Sequence, residues 1–293
     1  MNTPTAPRLP SSEPVQAMGQ ARGGMSRRAE LLGLPVDLLG AAEALACVAG
    51  WMDAARATDE GSQPFQIGAP APGAKQIVTL NPEIVMAARH DAALRTAILT
   101  ADLVLPDGIG VVWALRLRGQ SAPERVTGVD LLDACAGVAA RRGYRIFLLG
   151  GQPGVAEQAA DRLRARYPGL RVVGAEAGSP RESDAPAILE RINASGAHAV
   201  FVAFGAPAQE RWIAAHRPQL GAVVAVGVGG AFDFLAGRVP RAPLWMRRCG
   251  LEWLYRLVRQ PWRWRRMLAL PRFAVAVLRE PISKTSEEKG VQR

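Results

Sequence analysis

Cysteine and histidine are both scarce in this 293-residue chain, and each scarcity closes off a class of function. Cys47, Cys135 and Cys249 stand far apart without a CxxC spacing, so they read as ordinary buried thiols in a reducing compartment rather than a disulfide framework. His90, His198 and His216 are equally scattered and match no metal-ligand spacing. No run of eighteen apolar residues occurs, and residues 1–30 contain no apolar core of the signal-peptide kind. The expectation is a cytoplasmic protein whose membrane contact, if any, is peripheral. Nucleotide motifs are missing too. There is no GK[ST] for a Walker A loop, and the glycine fingerprint of dinucleotide binding is broken at Gln152 and Val155.

What is present is a sizeable apolar fraction, 49%, enough for one large domain with appendages. Charge is distributed very unevenly. Between Arg238 and Arg279 lie eleven arginines and a single acid, Glu252, a surplus that equals the formal net charge of +10 of the whole chain. Trp245, Trp253, Trp262 and Trp264 share that stretch with Tyr255 and Phe273. Such a tail suits an anionic surface, either membrane headgroups or nucleic acid. Its pattern predicts two basic amphipathic helices, about 244–259 and 262–279, separated at Pro261, with Pro271 kinking the second.

Ahead of the tail, short apolar runs alternate with helical patterns. The runs are Gln76 to Leu80, Leu103 to Leu105, Arg145 to Leu149, Arg171 to Val173, Ala199 to Phe204 and Val223 to Val228. This alternation predicts an α/β fold with a Rossmann-like, mostly parallel sheet and helices on both faces. Residues 1–30 read as a disordered extension, 31–240 as the α/β domain, 241–280 as the basic helical appendage and 281–293 as a disordered tail. A further Gly/Pro/Ala-rich loop spans about 59–74.

Parallel sheets bind ligands beyond the C-terminal ends of their strands, so the loops there hold the candidates. Thr79 and Asn81 flank one strand end, and Asn81 also suits a helix cap before Pro82. Asp107 precedes Gly108-Ile109-Gly110, where it serves either as a cap or as a general base beside a backbone that substrate can approach. Arg125, before Thr127-Gly128, is either solvated or a planar fork for phosphate or sugar. Gly150 and Gly151 sit between a strand and a helix, the usual place for nucleotide phosphate or ribose. Gly205, Pro207, Gln209 and Glu210 form another such loop; Gln209 can offer a donor and an acceptor, and Glu210 equally suits a helix N-terminus. Gly229 and Gly230 lead to Asp233, which is as readily a plain helix residue. No Asp-x-Asp occurs to hold a divalent cation on a diphosphate, so the chain's arginine surplus is the available counter-charge for such a group.

These motifs in order, Thr79-Leu80-Asn81-Pro82-Glu83, Pro106-Asp107-Gly108-Ile109-Gly110, Arg125-Val126-Thr127-Gly128-Val129-Asp130, Phe147-Leu148-Leu149-Gly150-Gly151, Gly205-Ala206-Pro207-Ala208-Gln209-Glu210, Gly229-Gly230-Ala231-Phe232-Asp233 and Gly250-Leu251-Glu252-Trp253, resemble the WecG/TagA/CpsF glycosyltransferase family over about residues 32–280. The resemblance implies an inverting, metal-independent transfer from a UDP-sugar to a polyprenyl-diphosphate-linked sugar, without a cofactor, at the inner face of a bacterial plasma membrane. It implies Asp107 as base and Thr79, Asn81, Arg125 and Gln209 as pocket residues, with UDP held by the glycine-rich loops. It also implies that Arg256, Arg263 and Arg266 lie near the diphosphates and that the appendage touches an anionic membrane. N-acetylmannosamine, its uronic acid and glucose stay open as transferred sugars, as do monomer and homo-oligomer. Two rival readings, an NAD-dependent oxidoreductase at the Gly150 loop and a nucleic-acid binder built on the basic tail, lack a complete motif.

Overall fold

A computed structural model describes residues 28–61, 73–122 and 124–280. The expected extension before Arg28, most of the 59–74 loop and the expected tail after Glu280 lie outside these residues.

The chain begins with an antiparallel hairpin, β1 (Arg28–Leu31) and β2 (Leu34–Asp37), so ordered structure starts inside the stretch expected to be disordered. Leu31, Leu34 and Val36 are buried. Asp37 joins the hairpin to the main sheet: its carboxylate accepts from the Arg28 guanidinium at 2.9 and 3.0 Å and from the Val104 N–H at 2.8 Å.

Six strands form the main sheet: β3 (Lys75–Leu80), β4 (Leu103–Pro106), β5 (Arg145–Gly150), β6 (Arg171–Glu176), β7 (Ala199–Ala203) and β8 (Val224–Gly227). Their spatial order is β4-β3-β8-β7-β5-β6 and every pairing is parallel. Both faces are covered, which is why the strands read as unbroken apolar runs. Alternate residues sort by face, as a period of two requires. Ile77, Leu105, Ile146, Leu148, Phe201 and Val226 enter one core with α1 (Ala41–Gly61), α5 (Gly128–Arg142), α6 (Val155–Arg166) and α9 (Ala231–Leu235). Val78, Leu80 and Val104 face the opposite side, under the hairpin, α2 (Pro82–Ala88), α3 (Ala92–Leu99) and α4 (Ile109–Leu117). Further along that side, Phe147, Leu149, Val200 and Ala225 meet α7 (Ala185–Ser195) and α8 (Ala208–His216).

The basic tail departs from the two-helix expectation. It forms α10 (Leu244–Arg248), α11 (Glu252–Arg259), a 3-10 turn at Pro261–Arg263, α12 (Trp264–Met267) and α13 (Ala269–Arg279). The first break lies at Gly250, whose φ is +73°; a Cβ there would come within 2.6 Å of Ile109. The chain must turn where it meets the start of α4, and only glycine fits. Pro271 does not kink α13 but sits in its first turn, where backbone N–H groups lack helical partners anyway. Phe273 and Val277 of α13 are buried in the same core as α2 and α4. At the far end Glu280 pairs with Arg118 and accepts from the Leu32 N–H.

Candidate active site

The chain leaving β5 goes outward to β6, whereas the chain leaving β7 turns the other way to β8, so a crevice opens above the β5–β7 boundary. A cleft of about 620 Å³ occupies this end of the sheet. Its floor comes from the loops after β3, β4, β5, β7 and β8, and α11 and α12 supply one wall. The size falls in the range of small-molecule sites.

Asn81 is a helix cap as well as a cleft residue: its Oδ1 accepts from the Ile84 N–H at 3.0 Å, and Pro82 takes the first helical position. Thr127 caps α5 in the same way. Asp107 does not cap. The residue before α4 is Gly108, no side chain bonds to the helix start, and the Asp107 carboxylate has no hydrogen-bond partner among the described residues. Its own N–H is fixed on the Leu80 carbonyl at 2.9 Å, which holds the side chain at the junction of β3 and β4. Burial deep in the cleft holds its carboxyl well above the usual carboxylate range, with the Arg125 guanidinium pulling against that and Glu252 and Asp130 adding to it.

Thr79 is buried, and its Oγ1 donates to the Gly227 carbonyl at 3.0 Å. Gln209 Oε1 accepts from the N–H groups of Gly205 (3.2 Å) and Gly229 (2.9 Å), while its Nε2 donates to Glu210 Oε1 at 2.8 Å. Gly151, Gly205, Gly229, Gly230 and Asp233 border the cleft. Gly150, Pro207 and Glu210, expected to touch the nucleotide, lie outside its lining. Gly150 is a packing position, since a Cβ there would fall 2.7 Å from the Ala203 carbonyl carbon. Pro207 is the residue before α8, and Glu210 is fully buried beneath Gln209.

The appendage wall is held by charge. Arg125 donates to Glu252 Oε2 at 2.9 Å and to the Arg247 carbonyl at 3.3 Å. Arg241 bridges Asp130, at 2.6 and 3.3 Å, to the other oxygen of Glu252 at 3.4 Å. Glu252, the lone acid of the basic stretch, thereby ties α11 to the loop before α5 and also borders the cleft. Only its isolation among eleven arginines could have flagged it in the sequence. Arg266 pairs with Glu83 in the first turn of α2. Arg256 is different. Its guanidinium lies over the Phe234 ring, 4.9 Å from the centroid, and against Gly230; its only hydrogen bond among the described residues is to Gln260 Oε1 at 3.4 Å. Burial pushes its pKa down, with Asp233 acting the other way and Arg266 adding to the depression. The side chain of Arg263 lies outside the described residues. No group of three or more His, Cys, Asp or Glu among the described residues is arranged to hold a metal ion.

Fold and site together define an α/β protein with a polar ligand cleft at its strand ends, closed on one side by a basic helical appendage. Comparison with known proteins gives the family. The description of the Glycosyl transferase WecG/TagA/CpsF family matches residues 29–287. An N-acetylglucosaminyldiphosphoundecaprenol N-acetyl-beta-D-mannosaminyltransferase of Bacillus subtilis (strain 168) is 38% identical over 208 residues, covering 71% of this chain and 80% of the relative. The protein of that name from Bacillus spizizenii (strain ATCC 23059 / NRRL B-14472 / W23) is 39% identical over 203 residues, 69% of this chain and 78% of its own. The chain belongs to the WecG/TagA/CpsF family of glycosyl transferases.

Proposed function

We propose that the protein transfers an N-acetylhexosamine, with N-acetylmannosamine the first choice, from a UDP-sugar to an undecaprenyl-diphosphate-linked N-acetylglucosamine. The sugars and the lipid diphosphate follow the names of the two Bacillus relatives. The observation that carries the chemistry is Asp107, a carboxylate in the cleft that caps no helix and pairs with no donor among the described residues. Burial makes it a stronger base than an ordinary aspartate, suited to take the proton from the acceptor hydroxyl. That oxygen then attacks the anomeric carbon from the face opposite UDP, which inverts the configuration. The departing diphosphate is neutralised by guanidinium groups, Arg256 foremost, in place of a divalent ion; the Arg256 guanidinium is largely withdrawn from water, where its charge counts for more than in solvent.

The acceptor's lipid gives the appendage a second task. Trp262 is 72% and Leu278 is 78% exposed, and Trp245, Trp264 and Leu268 are exposed as well, interspersed with arginines. Among the described residues no helix is long and apolar enough to cross a membrane. Large apolar side chains beside guanidinium groups suit the boundary between anionic headgroups and acyl chains. We place this face on the inner surface of the plasma membrane, with the cleft opening toward the lipid-linked acceptor.

The test is a panel of UDP-sugars offered with a lipid-diphosphate-linked N-acetylglucosamine in the presence of chelator, reading products by mass spectrometry. The expected result is one dominant inverted product. Product formed only after magnesium or manganese is added would overturn the arginine role, and hydrolysis without transfer would overturn the acceptor.

A further inference from the structure

Beneath the cleft lies a carboxylic acid to which the reaction above gives no part. Glu210, in the first turn of α8, is fully buried, and it touches the cleft only through its neighbour. Its Oε1 receives the Gln209 Nε2 at 2.8 Å. The other end of that amide, Oε1, gathers the Gly205 and Gly229 N–H groups from the loops that follow β7 and β8. Gln209 is therefore a cross-link between two loops of the floor, and its two ends are not equivalent. A reversed amide would set its NH2 against two N–H donors and its oxygen against a Glu210 oxygen, mismatching every bond it makes.

We propose that Glu210 is a positioning residue whose Oε1 fixes the Gln209 amide in the one orientation that joins the two loops, and so holds the floor on which the donor rests. The choice of donor as the ligand that feels this floor rests on the function proposed above; the cross-link itself does not. Space around the pair is tight. A Cβ on Gly227 would fall 2.7 Å from Gln209 Nε2 and 3.1 Å from Glu210 Oε1, so the end of β8 closes directly over it. The same Gly227 accepts from Thr79 through its carbonyl, which extends the post to a second cleft residue. Behind it, Gln76 Nε2 donates to the main-chain carbonyl of Glu210 at 3.0 Å.

Two buried acceptors in this cluster, Glu210 Oε2 and Gln76 Oε1, have no partner among the described residues. A proton on Oε2 supplies a donor there and leaves Oε1 free to receive Gln209. Burial pushes the Glu210 carboxyl up to about 7; the Gln209 hydrogen bond pulls against that, Glu83 adds to it and Arg211 opposes it. The acid is thus adapted to sit protonated or ionised without releasing the amide.

The experiment is hydrogen exchange on the full-length protein, free of ligand, comparing wild type with Glu210→Leu and Glu210→Gln. Loss of the acceptor in Glu210→Leu should speed amide exchange at Gly205 and Gly229 about tenfold, the worth of one ordinary hydrogen bond, with β3 and β5 unchanged. Glu210→Gln, which keeps an acceptor oxygen, should restore wild-type exchange. In turnover assays Glu210→Leu should raise donor KM about tenfold with a smaller change in kcat. Adding Gln209→Ala to it should cost nothing more, because both changes break one link. If Glu210→Leu does not fold, Glu210→Asp, which withdraws the acceptor by one methylene, is read in its place. Unchanged exchange at the two glycines would overturn the proposal, and so would failure of glutamine to rescue. A wild-type protein that binds no UDP-sugar yet shows the predicted exchange pattern would remove the donor assignment and support the cross-link.

Discussion

The two sides of the cleft are built from different materials. On the sheet side, Thr79, Asn81 and Gln209 are each fixed by hydrogen bonds to backbone within a few residues of a strand end, and glycines form the contact surface. On the appendage side, long guanidinium side chains reach in from helices that bury no residue of their own in α11 or α12. Local hydrogen bonds make the first side rigid. Ion pairs to Glu252 and Glu83 hold the second, and such pairs exchange readily for an anionic ligand. Under the proposed function, bond-making geometry falls to the sheet and charge neutralisation to the appendage.

The largest effect that could break this division is expected at Asp107. Asp107→Asn should lower kcat by about 10² to 10⁴ without unfolding the protein, measured as full kinetics beside a thermal melt. Since a base works only when ionised and burial raises this carboxyl, wild-type kcat/KM should rise with pH through an apparent pKa above the ordinary aspartate value. An acid limb at the ordinary value would mean that another group accepts the proton. Next comes Arg256→Ala, expected to cost about 1.5 to 3 kcal/mol of transition-state stabilisation, roughly ten- to a hundredfold in kcat/KM. A loss that appears wholly in acceptor KM would move this arginine from the donor to the lipid diphosphate. Smaller again is Glu252→Gln, which loosens the shared tie of Arg125 and Arg241. It should cost about 1 kcal/mol, a drop in Tm of about 2 to 4 °C, and raise KM several-fold. The weakest effect is on membrane contact: binding to anionic vesicles should fall as ionic strength rises, and Trp262→Ala should weaken it at every salt concentration. Binding indifferent to salt would separate the arginines from the membrane.

Five of the six sheet strands were legible because they are buried along nearly their whole length, as Ala199–Ala203 is; the edge strand β6, in which only Val172 is buried, was legible only from Arg171 to Val173. β1 was not, because Arg28 and Glu30 alternate with buried residues over only four positions, too short a run to outweigh the polar composition upstream. The cap reading at Asn81, which turned out correct, rests on local spacing. Whether Asp107 caps α4 depends on where the helix starts, which the packing of Gly108 against Pro82 decides, and no local pattern encodes that. The breaks in the appendage are of the same kind. Gly250 turns because Ile109 stands in its way, a contact across 141 positions of chain.

The burial of α13 changes what a deletion can reveal. Phe273 and Val277 fill space between α2 and α4, and Phe273 also borders Gly110 in the first turn of α4, just after the Asp107 loop. Removing everything after Pro240 would uncork the hydrophobic interior beneath that loop, at a penalty of several kcal/mol for the phenylalanine alone. A dead truncation would then report a damaged scaffold as readily as missing guanidinium groups. The appendage's last helix is a plug as well as a cover, and only exchange of single arginines, with the plug left in, can tell the two duties apart.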